Sequence, residues 1–219
     1  MAPQDPRILA LHRASADYAD SWCDEGPARA AARIKAHEIG LPVVSPGAGA
    51  TLRMLARAID AKSVVEIGTG AGVSLLWLLE GMNEDGVATS VDVEAEYQVI
   101  AREAVAAAGI NASRVRLING RTDEVLSRLT EGGYDLVFIA DKVRSLESHI
   151  GTALSLLRPG GILVIDRALW SDRIADPSQR DDGTVAMRAA HARVHEDEDL
   201  ISTLIPIGGG LLIAVTNPR

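Results

Sequence analysis

The chain has 219 residues and a formal net charge of −8, with 47% apolar and 24% charged residues. That composition suits one large domain or at most two small ones and excludes a disordered or fibrous chain. The longest apolar runs, such as Leu75 to Leu79 and Leu211 to Val215, fall far short of the roughly 18 residues of a bilayer span, and a single cysteine, Cys23, excludes an internal disulfide or a cysteine-based zinc cluster.

The opening Met1-Ala-Pro-Gln-Asp-Pro-Arg7 has neither the basic start nor the apolar core of a secretory signal. With the lone thiol, it predicts a cytoplasmic protein that no membrane anchors. Surplus negative charge repels phosphate backbones at long range, so nucleic acid is not an expected partner. No repeat, low-complexity tract or linker divides the chain. A single domain is expected over 1–219, with a helical cap at 1–60 and an α/β core at 61–219.

Three apolar patterns of helical period open the chain, around Ile8, Leu9 and Leu11, from Ala28 to Ile39, and at Leu52, Leu55, Ala56 and Ile59. Leu41-Pro-Val-Val-Ser-Pro-Gly47 interrupts them, because proline ends helices and restricts its predecessor. From Ser63 the pattern changes to short β-branched runs at 64–67, 87–93, 115–118, 136–139 and 162–165, separated by helical stretches near 73–82, 94–108, 122–130 and 145–157. Such alternation predicts a doubly wound α/β domain with a mostly parallel sheet. A polar helix near 181–197 follows, then two runs, Leu200 to Pro206 and Leu211 to Val215, joined through Gly208-Gly209-Gly210. They read as a hairpin that ends the sheet with an antiparallel edge strand.

The loop after the first strand is Gly68-Thr69-Gly70-Ala71-Gly72-Val73-Ser74. Glycines there let a ligand approach the backbone, as at a nucleotide-like cofactor. A dinucleotide fingerprint needs its third glycine where Val73 stands, which speaks against an NAD-dependent oxidoreductase. Glu66, just before the loop, would repel a pyrophosphate but accept hydrogen bonds from an ammonium-bearing ligand, favouring a sulfonium cofactor. At the end of the second run, Asp92 is placed to accept both hydroxyls of a ribose, with Glu94 next. The bland alternative is a tight turn with Asp92 capping the following helix.

This ordered set of motifs resembles the class I S-adenosylmethionine-dependent methyltransferases, and more closely the catechol and caffeoyl-CoA type O-methyltransferases. Glu66 to Ser74 resembles their cofactor loop and Val91-Asp92-Val93-Glu94 their ribose-binding strand end. Ala107-Ala108-Gly109-Ile110, Tyr134 to Ile139, Leu156 to Gly161 and Val164-Ile165-Asp166 follow in the family's order over about 40–216. The resemblance implies a Rossmann-like, seven-stranded sheet and methyl transfer from S-adenosylmethionine to a hydroxyl of a small acceptor. It also implies a homodimer, and a cofactor site made of Val44, Glu66, Gly68, Thr69, Gly70, Gly72, Ser74, Asp92, Val93, Gly120, Arg121 and Ala140.

The family's divalent cation, commonly magnesium, needs an aspartate after the fourth strand, a lysine three positions on, and an Asp-Asn pair after the fifth. This chain has Ala140, Val143 and Asp166-Arg167 at those places, and arginine is no ligand for such an ion. No metal residue is assigned. The expected catalytic group is Asp141, Lys142, Asp166 and Arg167, with the Arg167 guanidinium, paired with Asp141 or Asp166, in the electrostatic place of the cation. A salt bridge that merely holds strand ends is the alternative. Two further functions stay open: a tRNA hydroxyuridine-type O-methyltransferase, and an inactive S-adenosylmethionine-binding protein.

Several residues have a bland reading beside the functional one. Val43-Val44 could close over the methionine part of the cofactor, or form an ordinary turn; Thr122 could serve the adenine edge, or cap a helix. Trp170 could stack on a planar acceptor or bury its ring against a lid. His191 and His195, four residues apart, are read as a solvated helix face, as is Glu196 to Asp199. Cys23 is read as a packed or half-exposed thiol.

Overall fold

The computed structural model describes residues 5–140 and 143–218. Three helices come first, α1 (Pro6–Asp20), α2 (Gly26–Glu38) and α3 (Pro46–Ala58). Each starts with a proline in its first turn, where no helical hydrogen bond is lost. Strand and helix then alternate: β1 (Ser63–Ile67), α4 (Val73–Gly81), β2 (Val87–Asp92), α5 (Ala95–Ala107), β3 (Val115–Asn119), α6 (Thr122–Leu126), β4 (Tyr134–Ile139), α7 (Leu146–Leu156) and β5 (Leu157–Asp166). Helix α8 (Asp182–His195) and the strands β6 (Leu200–Ile205) and β7 (Leu211–Thr216) complete the described chain.

Seven strands form one sheet in the order β3-β2-β1-β4-β5-β7-β6. β1 to β5 are parallel, and β7 runs antiparallel between β5 and β6, so the hairpin as a whole makes the expected antiparallel edge. Side chains alternate between two cores, as the pleat requires. Val64, Leu136, Phe138 and Val164 pack with α3 and α4, whereas Val65, Ile67, Val137, Ile139 and Ile165 pack with α7 and α8. Burial on both faces is why these strands read as continuous apolar runs.

Two elements differ from the sequence expectation. α6 ends at Leu126 rather than near 130, because the chain turns toward β4 through Gly132, at φ 64°. β5 starts at Leu157, before the apolar run at 162, with a register shift against β4 between Tyr134 and Leu136 that absorbs Pro159 and Gly160. No helix among the described residues is long and apolar enough to cross a membrane.

Strand order reverses between β1 and β4, and in an open α/β sheet a crevice forms there at the carboxyl ends of the strands. Helix α4 is buried along nearly its whole length, from Val73 to Leu79 and again at Gly81. It fits because glycines let α3 come close. A Cβ on Gly49 would meet the Trp77 indole at 2.2 Å, and one on Gly81 would meet the Arg53 carbonyl oxygen at 2.2 Å.

Candidate cofactor and acceptor site

Ile67, Val91 and Ile139 lie level in the register, so the chain leaves β1, β2 and β4 at one height. Gly68 N–H donates to Val91 O (2.9 Å) and Ala140 N–H to Ile67 O (2.8 Å), extending the ladder by one residue past the strand ends. Gly68, Gly70 and Gly72 have φ of 93°, 51° and 82°, which residues with a Cβ rarely adopt. Gly72 also rests on α5, since a Cβ there would lie 3.1 Å from Ala101. The loop therefore curls back over the sheet and presents its backbone to a cavity of about 500 Å³.

Asp92 is fixed from two sides. Its Oδ2 accepts from Gly70 N–H and its Oδ1 from Glu94 N–H, both at 3.0 Å. Each oxygen keeps a lone pair for the cavity. The second bond is the local turn anticipated as an alternative, although no side chain caps α5, whose first flanking residue is Glu94. Asn119 Nδ2 donates to the carbonyl oxygens of Asp92 (3.1 Å) and Val93 (3.0 Å), which holds the end of β2 in place.

Three strands away from Asp92, Arg167 leaves β5 at φ 53°. Its Nη2 donates to Ala140 O at 2.9 Å and its Nε lies 3.5 Å from Asp166 Oδ2. Asp166 is buried, which pushes its carboxyl above the usual range, while the charge and backbone N–H of Arg167 pull it down. The hairpin loop braces this corner: Ala168 N–H and Leu169 N–H donate to Gly210 O (3.0 Å) and Gly209 O (2.9 Å). Trp170, Ser171 and Asp172 follow with φ of 50°, 54° and 62°, and the Trp170 indole lies against Gly183 at the start of α8.

Of the residues expected at the site, Val44, Gly68, Thr69, Gly70, Ser74, Asp92, Val93, Ala140, Asp166 and Arg167 line this one cavity. Asp141 and Lys142 lie outside the described residues. Glu66 and Gly72 are placed behind the wall. Glu66 is fully buried, with both carboxylate oxygens accepting from serine hydroxyls, so it does not receive a ligand ammonium directly. Gly120 and Arg121 are off the cavity: Gly120 N–H donates to Asp92 O at 3.0 Å, and Arg121 is exposed and pairs with Glu124 at 3.2 Å. Thr122 opens α6 rather than capping it. His191 is half-buried with Nε2 lacking a hydrogen-bond partner, so that part of α8 turns inward and is not the solvated face expected. Cys23 is half-buried as expected.

Leu41, Pro42, Tyr97 and Arg144 line the cavity too and escaped the sequence reading. Leu41 and Pro42 adjoin the Val43-Val44 segment, which Arg33 Nη2 anchors through Val44 O at 2.7 Å. Tyr97 sits in the first turn of α5, and that position after an acidic strand end was the signal available.

Among the described residues, which leave out Asp141, the donor set around Asp166 does not fit a divalent cation. Ala140 offers only a carbonyl oxygen, already taken by Arg167, and the guanidinium places positive charge beside the Asp166 carboxylate. No group of three His, Cys, Asp or Glu among the described residues could hold a metal.

A family model described as O-methyltransferase matches residues 29–216. The chain belongs to the O-methyltransferase family. A Mycobacterium avium relative, named only at the level of the family as an O-methyltransferase, is 46% identical over 98% of this chain and 94% of its own. A Corynebacterium glutamicum protein superposes with a TM-score of 0.88 at 30% identity, covering 96% of this chain and 98% of its own. The O-methyltransferase TomG of Streptomyces achromogenes, crystallised with S-adenosylmethionine, superposes at 0.82 with 28% identity over 91% of this chain and 94% of its own. The fold and family implied by the motifs are thereby met.

Proposed function

We propose that this protein transfers the methyl group of S-adenosylmethionine to a hydroxyl of a small, planar acceptor without a divalent cation in the site. One observation carries the reading: a ribose-type acidic residue held by the glycine loop, Asp92 with Gly70, shares a cavity with the Asp166 and Arg167 corner. Strands are about 4.8 Å apart, so Asp92 and Asp166, three strands apart, are separated by roughly 14 Å. That span suits a nucleoside at one end and an acceptor at the other.

The loop backbone and Asp92 would hold the nucleoside, Tyr97 would face its base, and Val44 would shield the amino-acid tail from water. Bound there, S-adenosylmethionine supplies an electrophilic sulfonium methyl. Arg167 lowers the cost of a negative charge developing on the acceptor oxygen, and Asp166, which is buried and hence a stronger base than an exposed carboxylate, takes the hydroxyl proton. Trp170 and Val143 make an apolar wall for a flat acceptor. Orientation supplies the remainder of the rate.

Calorimetric titration with S-adenosylmethionine, with excess magnesium and again with chelator, tests the reading. It is followed by methyl transfer to a panel of phenols and catechols in both buffers. Binding and turnover that survive the chelator support it; turnover only with magnesium overturns the metal-free part; binding with no turnover favours a cofactor-binding protein. We also propose a cytoplasmic homodimer. Its support is the exposure of Ile8, Leu11, Tyr18 and Trp22 on and just after α1, and light scattering checks the mass.

A further inference from the structure

The two ends of the cavity are lined by opposite charge. At the Asp92 end stands a second carboxylate, Glu94, and at the Asp166 end stand two guanidiniums, Arg144 and Arg167. Arg144 belongs to a single helical turn, Val143–Ser145, that follows the exit of β4. Arg167 follows β5, the strand paired with β4, so a strand spacing of about 4.8 Å brings both arginines to one small space.

Their charges are not spent alike. Arg167 gives Nη2 to Ala140 O, and its Nε lies 3.5 Å from Asp166, whose carboxylate offsets it. Arg144 is exposed, and among the described residues no oxygen receives its N–H groups. Asp141 and Lys142, outside the described residues, carry opposite charges that cancel in sum. Two guanidiniums against the one carboxylate of Asp166 thus leave a single positive charge here, in a chain whose net charge is −8.

That charge stands on the acceptor side of the cavity. Val143 and Trp170 pack into the core on the α7 and α8 face of the sheet, whereas Val44 and Val73 pack into the core on the α3 and α4 face. Arg144, next to Val143, therefore enters from the wall proposed for the acceptor and not from the Val44 segment proposed to shield the cofactor's amino-acid tail.

We propose that the acceptor is an aromatic hydroxy acid, its ring against Val143 and Trp170, its hydroxyl toward Asp166 and Arg167, and its carboxylate toward Arg144. The proposal rests on the methyltransferase reading, which supplies the hydroxyl end. One spare positive charge matches a monoanion, and the parallel N–H groups of a guanidinium match the two oxygens of a carboxylate. A phosphate dianion would bring a second negative charge close to Asp166. Arg144 is thereby a specificity-determining residue, because a neutral ring of the same shape leaves its charge unanswered.

The test is calorimetric titration of the whole protein, loaded with S-adenosylhomocysteine, with protocatechuate and with its primary amide, which keeps the ring and both hydroxyls but loses the charge. Protocatechuate should bind about tenfold more tightly, as for one charge-assisted hydrogen bond. Added salt should narrow that preference, since Arg144 is exposed. Arg144→Gln should bring the acid and the amide level by weakening the acid, and Arg144→Lys should keep part of the preference as a point charge.

Equal affinity for acid and amide in the wild type, or a preference for the acid that persists in Arg144→Gln, overturns the proposal. So does failure of both probes to bind the loaded protein. A loss of S-adenosylhomocysteine affinity in Arg144→Gln that methylthioadenosine does not share assigns the arginine to the cofactor's own carboxylate and overturns it as well. In each of these cases methyl transfer to neutral catechols leaves the methyltransferase reading standing; absence of S-adenosylhomocysteine binding in the wild type removes both.

Discussion

The guanidinium of Arg167 reaches from the end of β5 to the carbonyl oxygen of Ala140 at the end of β4, 2.9 Å from its Nη2. One side chain thus ties together the ends of two neighbouring strands. Held by this bond and by Asp166, the guanidinium keeps N–H donors for an oxygen in the cavity. Arg167→Ala is expected to lower kcat by about 100-fold or more, as for loss of one charge-stabilising donor, with the Kd for S-adenosylmethionine unchanged. Arg167→Lys, which keeps the charge and loses the fork, should fall between the two. Steady-state kinetics with parallel titrations checks this, and an unchanged kcat would reduce the residue to a strut between strands.

Asp92 joins the glycine loop to the second strand through Gly70 N–H and Glu94 N–H. Asp92→Asn loses the charge and half of the accepting capacity, so an amide nitrogen must face a donor. Cofactor affinity should drop about 10-fold to 100-fold, with a cost in stability of about 1–2 kcal/mol, measured by titration and by denaturant unfolding.

Glu66 also couples the fold to pH. Its carboxyl is held at about 7 in the folded protein against an ordinary 4.5, so between those values the native state binds the extra proton. Stability contributed by this group is therefore present in acid and lost as pH rises through about 7, by about 3 kcal/mol in total. Thermal or denaturant unfolding of the wild type and Glu66→Gln should show the difference between them growing from about pH 5 to about pH 8. A difference that shrinks over that range contradicts this.

Gly49 and Trp77 set how closely α3 and α4 approach. Trp77 is fully buried, and the guanidinium of Arg29 lies 4.0 Å above its ring. A methyl at position 49 would fall 2.2 Å from the indole nitrogen. Gly49→Ala should cost at least about 1–3 kcal/mol despite the better helix propensity of alanine, read as a lowered denaturation midpoint. At Gly81 the obstacle is the backbone of Arg53, which cannot rotate away, so Gly81→Ala should cost more.

Much of this site was legible in local patterns. Gly68, Gly70 and Gly72 permit left-handed backbone that other residues rarely adopt, and Asp92 stands at the end of the second β-branched run. Glu66 shows the opposite case. Its place before the loop was plain, but whether it faces the ligand or lies beneath it depends on Ser90, which pairs with it from another strand. Arg121 was misplaced for a similar reason: its neighbour in sequence, Gly120, bonds to Asp92, while its own side chain turns to solvent.

By itself the sequence determined the alternation of strands and helices, the position of the crevice loop and the family, because periodicity, glycine geometry and motif order are properties of neighbouring residues. Only the tertiary structure decided which carboxylates reach the cavity, that Arg167 bonds Ala140, and that Gln98, Thr69, Ser90, Glu66 and Ser74 form one hydrogen-bonded row. Those outcomes join β1, β2, β4, β5, α4 and α5 across long stretches of chain, and both burial and hydrogen-bond direction are set by what lies alongside in space.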